Sequence, residues 1–494
     1  MLKRAAISGL CLGLCFGGWS AARAETAKNV ILMVTDGLGM NGWAASSYYQ
    51  YDQSGKANWH DALPYGESAG FSFFGCTHYM LNADGTPQGY DPVQMWSTFN
   101  HRPVTGSAAA ATALNTGMKT RVSAVNVDVA ENPLTTLASI AKDLGKSAGT
   151  VTSVQISHAT PAATWAHNTS RSNYADIANE MIRTPGGLDV LMGCGEGHSS
   201  NAYVGGDATW EDIVGDNSHG NDADPGPGLN GFTYVGDKTD FQDLGDMDNT
   251  YRGGAVPQKV LGICHAKSTL RDVDRNHDEA ETVPGLPTMT RGALEVLERN
   301  PDGFYLMVEG GAVDWANHGR NLDYMLAEQK DFDDAVKEVI AWVNGNSSWD
   351  ETLLVITADH ECGKIWGNGT WTDGDGDGLY DPDEDTFNGF VHVADNGVGN
   401  LPGALYGSGS HSNQLVPLFA RGCGADLFDA LVDGTDGAAG TFWDFDGRCV
   451  DNTDVFTAMN AVVPEPATMS LLGLGLAALA AARSRRPRGR SATG

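Results

Sequence analysis

The sequence predicts an α/β fold. Three short apolar runs, Asn29–Val34, Phe304–Val308 and Thr352–Thr357, have the length and unbroken hydrophobicity of buried strands. Each runs straight into acidic residues, glycine or histidine, where the strands of an α/β sheet end at a ligand crevice. Stretches of helical periodicity, Leu134–Leu144, Met289–Leu297 and Leu322–Val343, alternate with them. The length of 494 residues suits one large domain with insertions as well as it suits about three domains.

The chain carries 31 Lys and Arg against 62 Asp and Glu, a formal charge of −31. That balance argues against nucleic acid and anionic membrane surfaces as partners and fits divalent cations. Residues 1–24 read as a secretory signal, with Lys3 and Arg4, an apolar Ile7–Trp19 and a cleavage site at Ala22-Arg23-Ala24. Cys11 and Cys15 leave with it. Cys76, Cys194, Cys264, Cys362, Cys423 and Cys449 would then meet oxidising conditions, and Cys423 with Cys449 is the expected pair. At the other end, Val463-Pro464-Glu465-Pro466 precedes an apolar stretch, Ala467–Ala482, and Arg483, Arg485, Arg486, Arg488 and Arg490. The stretch is slightly short for a membrane span. This order resembles the PEP-CTERM sorting signal, which implies exosortase processing and passage through the periplasm to the cell surface or extracellular matrix.

The first strand ends in Thr35-Asp36-Gly37, where Asp36 alone reads equally as a turn residue. Ser107 opens an alanine-rich segment that Gly117 would close, so it should stand at a helix N-terminus, where free N–H groups favour negative charge. Ser is also a preferred N-cap, so this position alone decides nothing. A strand near Ala148–Ser153 feeds His158-Ala159-Thr160-Pro161, and Arg171 follows; single residues of these types are more often structural. The strand at Phe304 delivers Glu309, and then Asp314 and His318, four apart and on one face of a helix, form a zinc half-site. The strand at Thr352 delivers Asp359-His360. His411 precedes a further apolar strand.

Other segments carry less signal. Residues 41–103 read as aromatic and irregular, and 186–260 as a loop-heavy insertion. Asp272, Asp274 and Asn276 alternate without the following glycine and read as a solvated loop. By contrast, Asp373, Asp375, Asp377, Asp381 and Glu384 fall at positions 1, 3, 5, 9 and 12 of a twelve-residue calcium loop, with Gly378 at its turn. No clear apolar helices flank it, so a structural calcium within an insertion at about 366–405 is expected.

Taken in order, Asp36, Ser107, His158, Thr160, Arg171, Glu309, Asp314, His318, Asp359, His360 and His411 resemble the active-site set of the alkaline phosphatase family. The resemblance runs over about 29–462 and implies a large, mainly parallel central sheet with helices on both faces and loop-rich insertions, in a catalytic domain at 25–462 between the signal and the tail at 463–494. It also implies hydrolysis of small phosphomonoesters through a phosphoserine on Ser107. Asp314, His318 and His411 would hold one zinc. Asp36, Asp359 and His360 would hold a second, with Ser107 as its open ligand. Asp36, Thr160 and Glu309 would hold magnesium, with His158 close to it, and Arg171 would clamp the phosphate. Family members are often homodimers. Two departures stand out. Gly106 replaces an Asp that would position Arg171, so a more mobile Arg171 and weaker phosphate retention are expected. Trp315 stands where relatives have Lys or His. The rival readings are a related diesterase or sulfatase, or a non-catalytic calcium-binding surface protein. The sulfatase pattern is absent around Ser107, and diesterases usually lack the Arg171 clamp.

Overall fold

The computed structural model describes residues 26–463 except 83, 98–103, 198, 216–228, 270–282 and 378. The signal segment, the tail from Pro464, the Asp272–Asn276 loop and Gly378 lie outside the described residues.

An eleven-stranded sheet organises the chain. Its strands are β1 Asn29–Thr35, β2 Ser72–Thr77, β3 Ser147–Gln155, β4 Val190–Cys194, β5 Thr233–Val235, β6 Val260–Ile263, β7 Phe304–Gly310, β8 Thr352–Ala358, β9 Val416–Gly422, β10 Gly434–Thr435 and β11 Arg448–Asp451. Their spatial order is β10-β11-β2-β9-β8-β1-β7-β3-β4-β6-β5. From β8 through β5 every neighbouring pair is parallel. β9 runs antiparallel to both β8 and β2. Every residue of β1, β7 and β8 is buried, which is why these strands read as unbroken apolar runs.

Helices cover both faces. Tyr305 hydrogen-bonds Asn115 in the helix Ser107–Thr116, while the adjacent Phe304 packs its ring on Trp342 in the helix Leu322–Asn346. Successive strand residues point to opposite sides, so these two helices lie on opposite faces of the sheet. Leu286–Leu297 packs beside the second helix, and Leu137–Asp143 and Asn452–Val462 beside the first.

Two stretches are more ordered than their composition announces. Residues 41–103 include most of the helix Met40–Gln50 and the sheet strand β2. That helix is buried over the whole of Met40–Ser47, so it shows no apolar stripe. The 186–260 stretch supplies β4, β5 and the start of β6 to the sheet.

The expected Cys423–Cys449 bridge is not formed; the six described cysteines are buried thiols. Cys449 lies level with Gly75 in β2, and Gly75 lies level with Pro417 in β9. Cys423 lies six residues beyond Pro417, about 20 Å farther along the chain direction, well past disulfide reach.

Between His360 and His411 the chain leaves and returns as nested antiparallel ribbons, Glu361–Cys362 with His411–Ser412, Ile365–Gly367 with Ala404–Tyr406, and Trp371–Thr372 with Thr386–Phe387. This ladder brings residues 51 positions apart into ring contact, with His360 and His411 stacked at 3.8 Å between centroids. No helix among the described residues is long and apolar enough to cross a membrane.

Candidate active site

Strand register assembles the site. Thr35 lies level with both Gly310 and Ala358, so Asp36 and Asp359 leave the sheet side by side and Glu309 sits one residue inside. Gly37 is the hinge. Its φ is +75°, and a Cβ there would stand 2.6–2.8 Å from Asp314 atoms, so only glycine fits. Its N–H donates to Asp359 Oδ1 at 3.1 Å, and its carbonyl accepts from Asn317 Nδ2 at 2.9 Å. The turn after β1 is thereby pinned to the turn after β8 and to the helix Ala312–His318.

Ser107 is the first residue of its helix, and Gly106 is the N-cap without any side-chain cap bond. The Ser107 hydroxyl is therefore not spent on capping. Its Oγ lies 3.2 Å from His360 Nε2 and 3.5 Å from Asp36 Oδ1, at only 2% exposure. Gly117 closes the helix at φ +68°, as expected of a left-handed C-cap.

Asp314, His318 and His411 converge on one side of Ser107. His318 Nδ1 faces the Gly409 carbonyl and His411 Nδ1 the Thr105 carbonyl, both at 2.7 Å. These bonds place a proton on each Nδ1 and turn both Nε2 atoms inward, the arrangement of metal-binding imidazoles. The Asp314 carboxylate beside them raises His411 against burial and lifts His318 to about 9, so these positions draw a proton or a cation. The two Nε2 atoms approach to 3.1 Å and stand 3.3 and 3.4 Å from the Asp314 oxygens. On the other side, His360 Nε2 lies 3.3 Å from Asp359 and 3.5 Å from Asp36. Glu309 is deeper, with Thr160 beside it. Asp36 Oδ2, Asp359 Oδ2, Glu309 Oε1 and Thr160 Oγ1 are buried without hydrogen-bond partners.

The electrostatics match this donor set. Burial raises Asp36 well above the usual carboxylate range, and the charges of Asp359, Asp314 and Glu309 raise it further. Burial lifts Glu309 to about 8 and Asp359 to about 6. Burial also opposes ionisation of Asp314, but His318 and His411 outweigh it and hold that carboxylate low. Carboxylates this crowded and dry retain their charges together only beside cations. The residues present thus fit two zinc-type sites of imidazole and carboxylate and one all-oxygen site of the kind magnesium takes.

Arg171 meets His158. Burial and the nearby guanidinium press His158 down to about 3, so the ring is neutral and accepts from Arg171 Nη2 at 2.9 Å. Trp315 meets the His158 ring edge-on at 5.4 Å. His158 thus contacts Arg171, an interaction its sequence position did not reveal.

The sequence profile of the alkaline phosphatase family matches residues 27–375. The chain belongs to the alkaline phosphatase family. It is 31% identical over 343 residues to alkaline phosphatase 3 of Bacillus subtilis, covering 69% of this chain and 62% of that relative's length. It is 29% identical over 360 residues to the Escherichia coli alkaline phosphatase, covering 68% and 70%. The fold is shared with the cold-active alkaline phosphatase of a Shewanella species, with TM-score 0.59, 23% identity and coverage of 88% of this chain and all of that one. It is also shared with the alkaline phosphatase of Thermus thermophilus, with TM-score 0.58, 19% identity and coverage of 92% and 96%. A PEP-CTERM protein-sorting motif matches residues 462–486. The family match stops before His411, so the fold brings in that imidazole from outside the matched stretch.

Two residues of this alkaline phosphatase family site were not singled out by sequence. Thr152, in register with Glu309, donates its hydroxyl to Glu309 Oε2. A threonine inside a strand pattern reads as a β-former and nothing more. Cys362 lies with Asp314, His318 and His411, pairing with His411 across the first ribbon. Burial, then the Asp314 charge, holds its thiol well above the normal range. The only sequence signal was its place two residues after His360.

In the acidic loop, Asp373, Asp375 and Asp385 bring oxygens within 4.8 Å of one another. Glu384 contacts Asp375, whose hydrogen bond and charge raise the Glu384 carboxyl. Asp377 and Asp381 accept backbone N–H groups of Leu379 and Asp383. Asp385 was not among the expected ligands. The loop is closed by a β-ribbon rather than by a helix pair.

Proposed function

We propose that this protein is a metal-dependent phosphomonoesterase that works through a phosphoserine on Ser107. The observation that carries the reading is the uncapped Ser107 hydroxyl, held at a helix N-terminus between an Asp314–His318–His411 cluster and an Asp36–Asp359–His360 cluster. Asp314, His318 and His411 would hold one zinc, Asp36, Asp359 and His360 another, and Asp36, Thr160 and Glu309 a magnesium. When bound, these ions supply positive charge at the entering and leaving oxygens and lower the hydroxyl's pKa.

The chain's own groups do the rest. Ser107 Oγ attacks phosphorus in line and becomes esterified; the alcohol leaves, and water then cleaves the ester to release phosphate. The free N–H groups of the first helical turn face the transferred oxygens. Arg171, turned toward the site by neutral His158, offers its planar fork to two phosphate oxygens. That fork favours a dianionic monoester over a diester, which has one charged oxygen fewer. The enzyme domain would span 25–462, with a calcium between Asp373 and Asp385 stiffening the ribbons that hold His360 against His411. The sorting motif supports export and exosortase processing at the tail. Rates on a phosphomonoester, a phosphodiester and a sulfate ester test the reading: the monoester should lead by orders of magnitude, and a faster diester or sulfate reaction would overturn it.

A further inference from the structure

A further imidazole, His60, is prepared as a ligand outside the site above. His60 is fully buried, stacked on Phe73 at 4.4 Å between ring centroids and edge-on to Trp59 at 5.2 Å. Its Nε2 lies 3.1 Å from the Asp444 carbonyl, which can only accept, so the ring proton sits there. Its Nδ1 has no hydrogen-bond partner and faces the Glu67 carboxylate, with Asp61 beside them. Glu67 Oε2 stands 3.4 Å away, and the His60, Asp61 and Glu67 ligand atoms all lie within 4.8 Å of one another. This is the device seen at His318 and His411, where a backbone carbonyl fixes one ring nitrogen and frees the other.

His60 and Glu67 stand farther apart than the tightest imidazole–carboxylate pairs, 2.8 Å for His167–Glu180 and 2.5 Å for His265–Glu196, while His265 also faces Asp237 at 3.2 Å. The His60–Glu67 distance matches the 3.3–3.4 Å imidazole–carboxylate spacings around Asp314. Neighbouring ligands on a tetrahedral zinc with bonds near 2.05 Å are about 3.3 Å apart. Two lone-pair-bearing atoms facing each other at that distance repel unless a cation lies between them. One imidazole nitrogen and two carboxylates suit zinc better than calcium or magnesium, which prefer all-oxygen shells.

We propose that His60, Asp61 and Glu67 form a half-exposed, structural zinc site, with water completing its shell. Such an ion would tie the His60–Ala62 turn to the Glu67–Ala69 turn, just ahead of strand β2. Ser68 Oγ already donates to Asp61 Oδ1 at 3.0 Å and orients that carboxylate.

The test is zinc stoichiometry of the full chain, dialysed against buffered free Zn2+ and assayed by elemental analysis. The variant combines Asp61→Asn and Glu67→Gln, two changes outside the core that leave His60 in place. The expected result is about one zinc fewer per chain than wild type, unchanged monoester turnover, and loss of part of the zinc-dependent rise in melting temperature. Cobalt substitution gives a second readout, with one visible-band component missing in the variant. Equal zinc content in the two proteins, or a melting difference that is the same with and without zinc, would overturn the site and leave a plain His–Glu pair.

Discussion

Replacing Thr152 by Val should weaken cation binding at the proposed magnesium site without emptying space in the core. The two side chains have nearly the same shape, and Thr152 is fully buried, so the change removes one hydroxyl and little else. That hydroxyl donates to Glu309 Oε2. Its value depends on the charge of its partner. Without a cation, burial holds Glu309 near 8, so near neutral pH it is mostly protonated and loses little when Thr152 goes. With a cation bound, the carboxylate must be ionised, and a hydrogen bond to a buried charge contributes about 1.5–3 kcal/mol. The variant therefore destabilises the loaded state selectively, weakening magnesium affinity by about 10- to 100-fold. The pH profile gives the sign. Loading requires Glu309 to release its proton, so apparent affinity drops as pH falls below about 8. Thr152 lowers the Glu309 value, so in the variant the break moves to higher pH. The assay is monoester turnover against free Mg2+ at several pH values, with zinc saturating. An unchanged half-saturating Mg2+ and an unchanged break would refute the reasoning.

Three further outcomes follow from the same geometry. Gly106 has extended backbone at φ −127°, and a Cβ added there would meet nothing within 4 Å, so Gly106→Asp should fold normally and offer Arg171 an alternative to His158. Inhibition by inorganic phosphate should tighten by about threefold to tenfold, the range of a partly exposed ion pair of about 1 kcal/mol, and unchanged inhibition and turnover would sink the idea. Asp373→Asn with Asp385→Asn should abolish the calcium-dependent part of the melting temperature measured with zinc kept saturating; a calcium response equal to wild type would leave the loop without that role. Buried Asp333 is raised by desolvation from 3.8 to about 6, so the folded state keeps a proton that the unfolded chain releases. Its contribution to stability is full below about pH 4 and is lost as pH rises through 6, up to about 3 kcal/mol. Urea titrations at pH 4–7 should show that slope reduced in Asp333→Asn, and an equal slope would contradict it.

Much of the site was legible because chemistry followed directly on recognisable strands. β1, β7 and β8 are buried on both faces, so their apolar runs stood out, and Asp36, Glu309, Asp359 and His360 lie at their ends. The spacing of Asp314 and His318 survives as a helical half-site with a 3.3 Å contact. What stayed hidden depends on pairing across the chain. The antiparallel placement of β9 between β8 and β2 leaves no local signal, and it is what carries Cys423 away from Cys449. Thr152 matters only because β3 and β7 pair in that register. The contact of Arg171 with His158 joins residues thirteen apart that carry no local signal of meeting. Asp385 lies one position past the expected end of the calcium loop, brought in by the ribbon that closes it.

The central claim is that Ser107 is the group that receives the phosphoryl. Rapid acid quenching of the zinc- and magnesium-loaded enzyme during turnover of a phosphomonoester, followed by peptide mass spectrometry, tests it most directly. The account predicts one added phosphoryl group on the peptide containing Ser107, and none in Ser107→Ala. Turnover with no phosphorylated Ser107, or with the label on another residue, would contradict it.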